Sequence, residues 1–254
     1  MVNQLIKSSP FYYYLSTRYT YSYERIFFLI KYLGFYVVLL WALAVPITGE
    51  YIVITAIVLL LFYNLYDFFC YQNDNLDIPE YRKENIISID GKSFFIGKGI
   101  YLVLFNLLLF MFFDWQIWIH TVLLQLCLIV VFWIHNNVGY PFKLGSFISL
   151  YFLKIGIFVV GMNAEMLQIL PDFLVISVAF NFSYLPKYYV RKSNSSISKR
   201  GLLIQPIFWK NLILVLLLPF KLVVLVPLIF TDLVTLIEFL TGKFIGDDKY
   251  EFKI

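Results

Sequence analysis

The chain has 254 residues, of which 61% are hydrophobic and only 14% are charged. Soluble domains contain about 25% charged and about 45–50% apolar residues, so the composition excludes an ordinary water-soluble globule. It also excludes intrinsic disorder, which requires low hydrophobicity. The net charge of +4 requires no nucleic acid partner, because basic loops at a membrane surface account for it.

Apolar runs divide the chain into eight segments, each long enough or nearly long enough for a membrane helix. They lie near 26–45, 51–72, 99–113, 117–134, 145–163, 167–185, 206–219 and 222–240. The alternation expected of transmembrane strands is missing. We therefore predict an all-α, polytopic transmembrane helical bundle of about eight spans, in which 206–240 forms either one span or two.

One membrane domain, 1–254, is the simplest organisation. It consists of an N-terminal segment (1–25), the transmembrane helices (26–240) and a tail (241–254). Basic residues concentrate in the two ends and in the loops after the even-numbered spans, whereas the opposite connections carry Glu50, Asp114 and Glu165, with Lys221 as the basic exception. Because basic residues mark the cytoplasmic side, both termini are expected there, in a multi-pass protein of the cell (inner) membrane.

Polar residues inside the spans are informative because they are costly there. Asp67 lies about one turn inside the end of the second span, and Asn64 lies three residues earlier on the same helix face. Asp74 and Asp77 follow directly. Because Mg²⁺ prefers oxygen ligands and often bridges to phosphate, these four residues form a candidate metal or diphosphate site. The alternative is a solvated, capped helix end with Asp67 paired to a nearby lysine, and the sequence leaves both open.

Other intramembrane polar groups have two explanations each. Asn106 and Gln125 line a cavity or form an interhelical hydrogen bond. Lys154, in the fifth span, has a functional role or extends its ammonium group towards the membrane surface. Cys70 and Cys127 have no nearby cysteine or histidine companions, so we expect two buried small hydrophobic side chains.

Three predicted cytoplasmic loops, 73–98, 135–144 and 186–205, carry recognisable sequence elements. The first follows Asn64-Leu65-Tyr66-Asp67 and includes Ile89-Asp90-Gly91-Lys92. The second contains Tyr140-Pro141-Phe142-Lys143. The third runs from Arg191 and Lys192 through a serine-rich stretch to Lys199, Arg200 and Gly201. The order and sidedness of these elements distinguish the chain from a generic membrane bundle.

This layout resembles that of the UbiA-type intramembrane prenyltransferases, an all-helical family with motifs in the loops after helices two, four and six. The resemblance covers nearly the whole chain. It implies transfer of a polyprenyl group from an isoprenoid diphosphate to a lipid-soluble acceptor, either aromatic or aliphatic, in lipid or quinone biosynthesis. Asp67 and Asn64 would be catalytic and, with Asp74 and Asp77, would bind Mg²⁺. Tyr140 and Lys143 would contact the diphosphate.

The chain departs from the family pattern in the third loop. The two acids of the second aspartate motif are replaced by Ser193 and Ile197, and only Gly201 matches. Basic side chains could bind the diphosphate directly instead of a second metal, or could simply set the orientation; these are Arg191, Lys192, Lys199 and Arg200. The enzyme hypothesis therefore stands beside a non-catalytic relative that binds lipid or a protein partner. A transporter is disfavoured by the lack of an inverted repeat.

Overall fold

The computed structural model describes residues 6–18, 22–44, 47–76, 90–138, 142–182, 212 and 225–245. Within these ranges the fold is all-helical. The helices are α1 (Tyr12–Arg18), α2 (Ser22–Ala42), α3 (Gly49–Leu76), α4 (Gly91–Phe112), α5 (Trp115–Asn137), α6 (Phe142–Val159), α7 (Ala164–Leu167), α8 (Leu170–Phe182) and α9 (Leu225–Ile245).

Among the described residues, four helices are long and apolar enough to cross a membrane: α2, α3, α4 and α5. Helix α6 is apolar but has a shorter candidate segment, Gly145–Val159. Seven of the eight predicted spans overlap described helices, whereas the run 206–219 lies outside the described residues except for position 212. The all-helical fold is thus confirmed for the described residues, four of its helices are compatible with membrane spans, and the count of eight spans stays a prediction.

The chain divides into two compact units, and the prediction of a single membrane domain stays untested. The first unit contains α1 and α3–α6; the second contains α2 and α7–α9. Helix α3 is central to the first unit, because it contacts α1, α4, α5 and α6. Of its apolar segment 56% is buried within the protein, against 22% for the segments of α4 and α5, whose outer faces remain for lipid.

Helix α4 begins eight residues earlier than the predicted third span. Asp90 is its N-cap and accepts hydrogen bonds from the backbone N–H of Ser93 (3.1 Å) and from its hydroxyl (2.5 Å). Such a side chain satisfies a helix-terminal N–H that would otherwise lack a partner. The Ser93 hydroxyl, followed by the backbone N–H, holds the pKa of Asp90 below its ordinary value. Lys92 and Lys98, assigned to the loop from sequence, therefore belong to the helix.

The second unit is held together by the packing of α2 against α9 and α8. Lys31 of α2 forms an ion pair with Glu238 of α9, and Glu238 is buried. Phe35 stacks on Phe180 with ring centroids 3.8 Å apart. Asn181 of α8 donates to the Tyr36 hydroxyl of α2 at 3.1 Å. These contacts satisfy polar groups that would be costly to leave alone in lipid.

Candidate functional site

The centre of the candidate site is an ion pair between two buried side chains. Asp67, on α3, is 0% exposed, and Lys98, on α4, is 3% exposed. The Lys98 ammonium group donates to Asp67 Oδ2 at 2.8 Å. The ammonium group also lies 5.2 Å from the centroid of the Phe94 ring, within cation–π range. Of the two sequence-based alternatives for Asp67, the lysine partner is found, but Asp67 itself is buried rather than solvated.

Asn64 extends the same face of α3 one turn towards the middle of the helix. It is 1% exposed, and its amide nitrogen donates to the Lys98 backbone carbonyl at 2.8 Å. Its side-chain oxygen is buried without a hydrogen-bond partner among the described residues. A buried acceptor left unsatisfied costs about 1–3 kcal/mol, so this oxygen is a point where a donor or a cation would be favoured.

The N-terminal segment, defined here as residues 6–18, covers the ion pair. The backbone N–H of Tyr14 donates to Asp67 Oδ1 at 2.9 Å, and the Lys98 ammonium group donates to the Ser9 carbonyl at 3.2 Å. Phe11 has a φ of 69° and stacks on Tyr63 with centroids 4.0 Å apart. The segment thus supplies hydrogen-bond partners to both charges of the pair.

Aromatic rings and a second buried lysine surround this centre. The rings of Tyr63 and Tyr66 on α3 lie 6.0 Å and 5.0 Å from the Lys154 ammonium group, and the ring of Tyr151 on α6 lies at 5.3 Å. Lys154 is only 8% exposed, so the group lies among the rings rather than extending out of the bundle. Three rings around a desolvated ammonium group stabilise it by cation–π attraction.

A separate polar contact joins α4 and α5. The Asn106 amide donates to Gln125 at 3.2 Å, and the Gln125 amide donates back to Asn106 at 3.0 Å. Because each amide satisfies the other, the interhelical hydrogen-bond interpretation is confirmed.

Cys70 is buried beside Tyr13 and Phe94, as expected, but Cys127 is exposed, contrary to the prediction. Cys127 lies on the apolar surface of α5, where an apolar sequence context faces outward instead of into the protein.

The other predicted site residues are only partly within the described structure. Asp74 lies in the last turns of α3, and Lys143 lies at the start of α6; their side chains are outside the description. The remainder lie outside the described residues: Asp77, Tyr140, Arg191, Lys192, Lys199 and Arg200. Of the predicted site, the structure therefore brings together Asp67 and Asn64 and leaves the diphosphate-binding set as a prediction.

A magnesium ion does not fit the described surroundings of Asp67. Each of its carboxylate oxygens already accepts a hydrogen bond, one from Tyr14 and one from Lys98. Among the described residues, no group of three or more His, Cys, Asp or Glu side chains is placed to hold a metal. Asp67 therefore acts there as the counter-ion of a lysine, and Mg²⁺ binding stays a prediction that depends on Asp74 and Asp77.

Sequence reasoning missed two parts of this arrangement and one ion pair of the second unit. Lys98 was counted as a loop residue, although Asp90-Gly91 is a helix-start signal that could have extended α4 over it. The N-terminal segment was treated as a cytoplasmic extension, although its run of aromatic residues, Phe11–Tyr14, suits packing better than exposure. The ion pair between Lys31 and Glu238 was not identified at all, because neither residue stood out from the basic and acidic totals.

Comparison with known proteins identifies no relative: no protein-family model, curated protein or solved structure matches this chain.

Proposed function

We propose that this chain is a multi-pass membrane protein with the layout of a UbiA-type prenyltransferase that binds an isoprenoid diphosphate without metal-dependent transfer. The absence of metal-dependent transfer in this proposal is supported by the ion pair between Asp67 and Lys98. In the resemblance, Asp67 is the acid of the first metal motif. Here a lysine ammonium group neutralises it, and the acids of the second motif are replaced by Ser193 and Ile197.

Ligand binding in this proposal depends on basic and aromatic groups. Arg191, Lys192, Lys199 and Arg200 would bind the diphosphate by charge-assisted hydrogen bonds, and Tyr140 and Lys143 would contribute from the second loop. The isoprenoid chain would lie along apolar and aromatic side chains inside the bundle. Both termini and the basic loops would be cytoplasmic, where the diphosphate of a membrane-bound isoprenoid is accessible from water.

A second candidate is the active prenyltransferase, favoured by the Asn64 side-chain oxygen. This oxygen is buried, adjacent to Asp67 on the same helix face and unpartnered among the described residues. An amide oxygen beside a carboxylate is a suitable ligand pair for Mg²⁺ once Lys98 has moved away. In that case the metal would supply charge neutralisation of the diphosphate leaving group, and the acceptor would be a lipid-soluble molecule.

The experiment that separates these functions is binding of a prenyl diphosphate to the detergent-purified protein, with and without Mg²⁺. Wild type is compared with Asp67→Asn and with Glu50→Gln, which changes an exposed carboxylate at the other end of α3. Binding of the corresponding prenyl alcohol measures the contribution of the isoprenoid chain without the charge of the diphosphate.

The non-catalytic function is supported if binding requires the diphosphate group, is independent of Mg²⁺ and persists in Asp67→Asn. Affinity that requires Mg²⁺ and is lost in Asp67→Asn but kept in Glu50→Gln supports the enzyme, and an acceptor search then follows. Equal affinity for the alcohol and the diphosphate, or no saturable binding, contradicts both assignments.

A further inference from the structure

The N-terminal segment contacts the buried ion pair through its backbone rather than through charged side chains. The Ser9 carbonyl accepts from Lys98, and the Tyr14 N–H donates to Asp67. These two backbone groups occupy the positions where an anionic oxygen and a hydrogen-bond donor of a bound head group would meet the same two charges. The segment therefore competes for these atoms with any such ligand.

The contact between the segment and α4 is close. A methyl group added at Gly97 would lie 2.4 Å from Ser8 Cβ and 2.6 Å from Ser8 Oγ, and the next nearest atom, Ser8 Cα, would be at 3.9 Å. Real Cβ atoms do not approach other atoms so closely, so the glycine is what allows the segment to lie here. Two positions later, an added methyl group at Gly99 would meet nothing within 4 Å.

Two features make the position of the N-terminal segment over the ion pair energetically costly. Phe11 takes a positive φ, which disfavours any side chain larger than hydrogen. The Asn64 oxygen stays buried without a partner among the described residues. Helix α1 has seven residues, too few to be stable on its own, so the segment depends on its contacts with α3 and α4 for its structure.

We propose that the N-terminal segment is a reversible strap that covers the Asp67–Lys98 pair and blocks ligand access to it. Closed, it supplies hydrogen bonds to both charges and stacks Phe11 on Tyr63. Open, it exposes Asp67, Lys98 and the Asn64 oxygen. This device does not depend on which ligand the protein binds, because the test reads accessibility rather than ligand affinity.

Cys70 is a built-in reporter of the strap. It is 7% exposed and lies in a cluster with Tyr13 of the strap and Phe94 of α4. The chain has two cysteines, so Cys127→Ser leaves Cys70 as its single thiol. The rate of alkylation of Cys70 by N-ethylmaleimide, followed by mass spectrometry on the full-length protein in membranes, then measures how often the strap opens.

In the Cys127→Ser background, Gly97→Ala should raise the alkylation rate about tenfold or more, because the new methyl group displaces Ser8. Gly99→Ala is the matched control and should leave the rate unchanged. Adding Ser8→Gly to Gly97→Ala should restore the slow rate, since the nearest remaining atom of residue 8 is then at an ordinary contact distance. None of these variants changes a charge, so none alters the thiol electrostatically.

Three results would overturn the proposal: an unchanged rate in Gly97→Ala, an equal increase in Gly99→Ala, or a fast rate that Ser8→Gly does not correct. If Gly97→Ala does not accumulate in the membrane, Tyr14→Pro provides the test. It removes one of the backbone N–H groups that Asp67 accepts from, and it lies in the first turn of α1, where the backbone N–H has no acceptor within the helix. A faster rate supports the strap, and an unchanged rate refutes it.

Discussion

The ion pair between Asp67 and Lys98 makes a quantitative prediction about charge removal. The Lys98→Met variant leaves the Asp67 carboxylate fully buried with only neutral partners, the backbone N–H groups of Tyr13 and Tyr14, among the described residues. Removing one member of a buried pair costs about 3–5 kcal/mol, and an unpaired charge in a span costs about 2.5–3.5 kcal/mol on insertion scales. We therefore expect Lys98→Met to destabilise the protein by about 3 kcal/mol, and Asp67→Asn by a similar amount, because it leaves the ammonium group buried.

The double variant Asp67→Asn/Lys98→Met should be less destabilised than either single variant. It removes both charges and loses hydrogen bonds worth about 1 kcal/mol each, but it leaves no uncompensated charge. The two single costs should thus exceed the double cost by several kcal/mol, which is a strong coupling for residues in direct contact.

Thermal unfolding of the detergent-purified variants measures this cycle. A loss of about 3 kcal/mol corresponds to a fall in Tm of roughly 6–12 °C for a chain of this size. Lys92→Met is the matched control, because Lys92 is on the same helix but exposed, and its loss should change Tm little. If Lys98→Met is as mild as Lys92→Met, or if the single costs simply add in the double variant, the charges are not coupled and the reasoning fails.

Three further predictions follow from other polar contacts. In the second unit, Lys31→Met should lower Tm more than Lys31→Met/Glu238→Gln, and the reverse order would show that the pair is not coupled. A double-mutant cycle of Asn106→Leu and Gln125→Leu should give a coupling of about 0.6 kcal/mol, up to about 1.7, whereas a zero value would contradict the mutual hydrogen bonds. Because the pKa of Asp90 is lowered in the folded protein, its capping contribution should be complete above the unfolded pKa of about 3.9 and lost as pH falls through the folded value. Amide protection at the start of α4, measured as the exchange rate relative to the intrinsic rate at the same pH, should then fall at low pH, but not in Asp90→Asn, which still caps.

The architecture was predictable because the signal for a membrane helix is carried by composition alone. Apolar runs located the long helices. Interhelical hydrogen bonding, one of the two interpretations left open for Asn106 and Gln125, required only that amides within a span find partners. The start of α4 was placed at 99 instead of Gly91 because the search followed hydropathy, and a polar first turn with Lys92 looked like loop. The cap at Asp90 was the better guide to where the helix begins.

The centre of the candidate site was only half predictable, for a physical reason. A carboxylate inside a membrane span is costly unless it is paired, so the sequence alone predicts that Asp67 has a partner. The identity of the partner depends on how α3 and α4 pack. A metal ion and an ammonium group both stabilise a carboxylate by electrostatic attraction, so the sequence does not distinguish them. With Lys98 assigned to a loop, a metal ion and a nearby lysine were both open as partners of Asp67; with Lys98 buried one hydrogen bond away, the carboxylate is neutralised without a metal. The presence of an acid at a motif position therefore indicates a buried charge that must be neutralised, and only the geometry around it distinguishes a structural ion pair from a catalytic metal site.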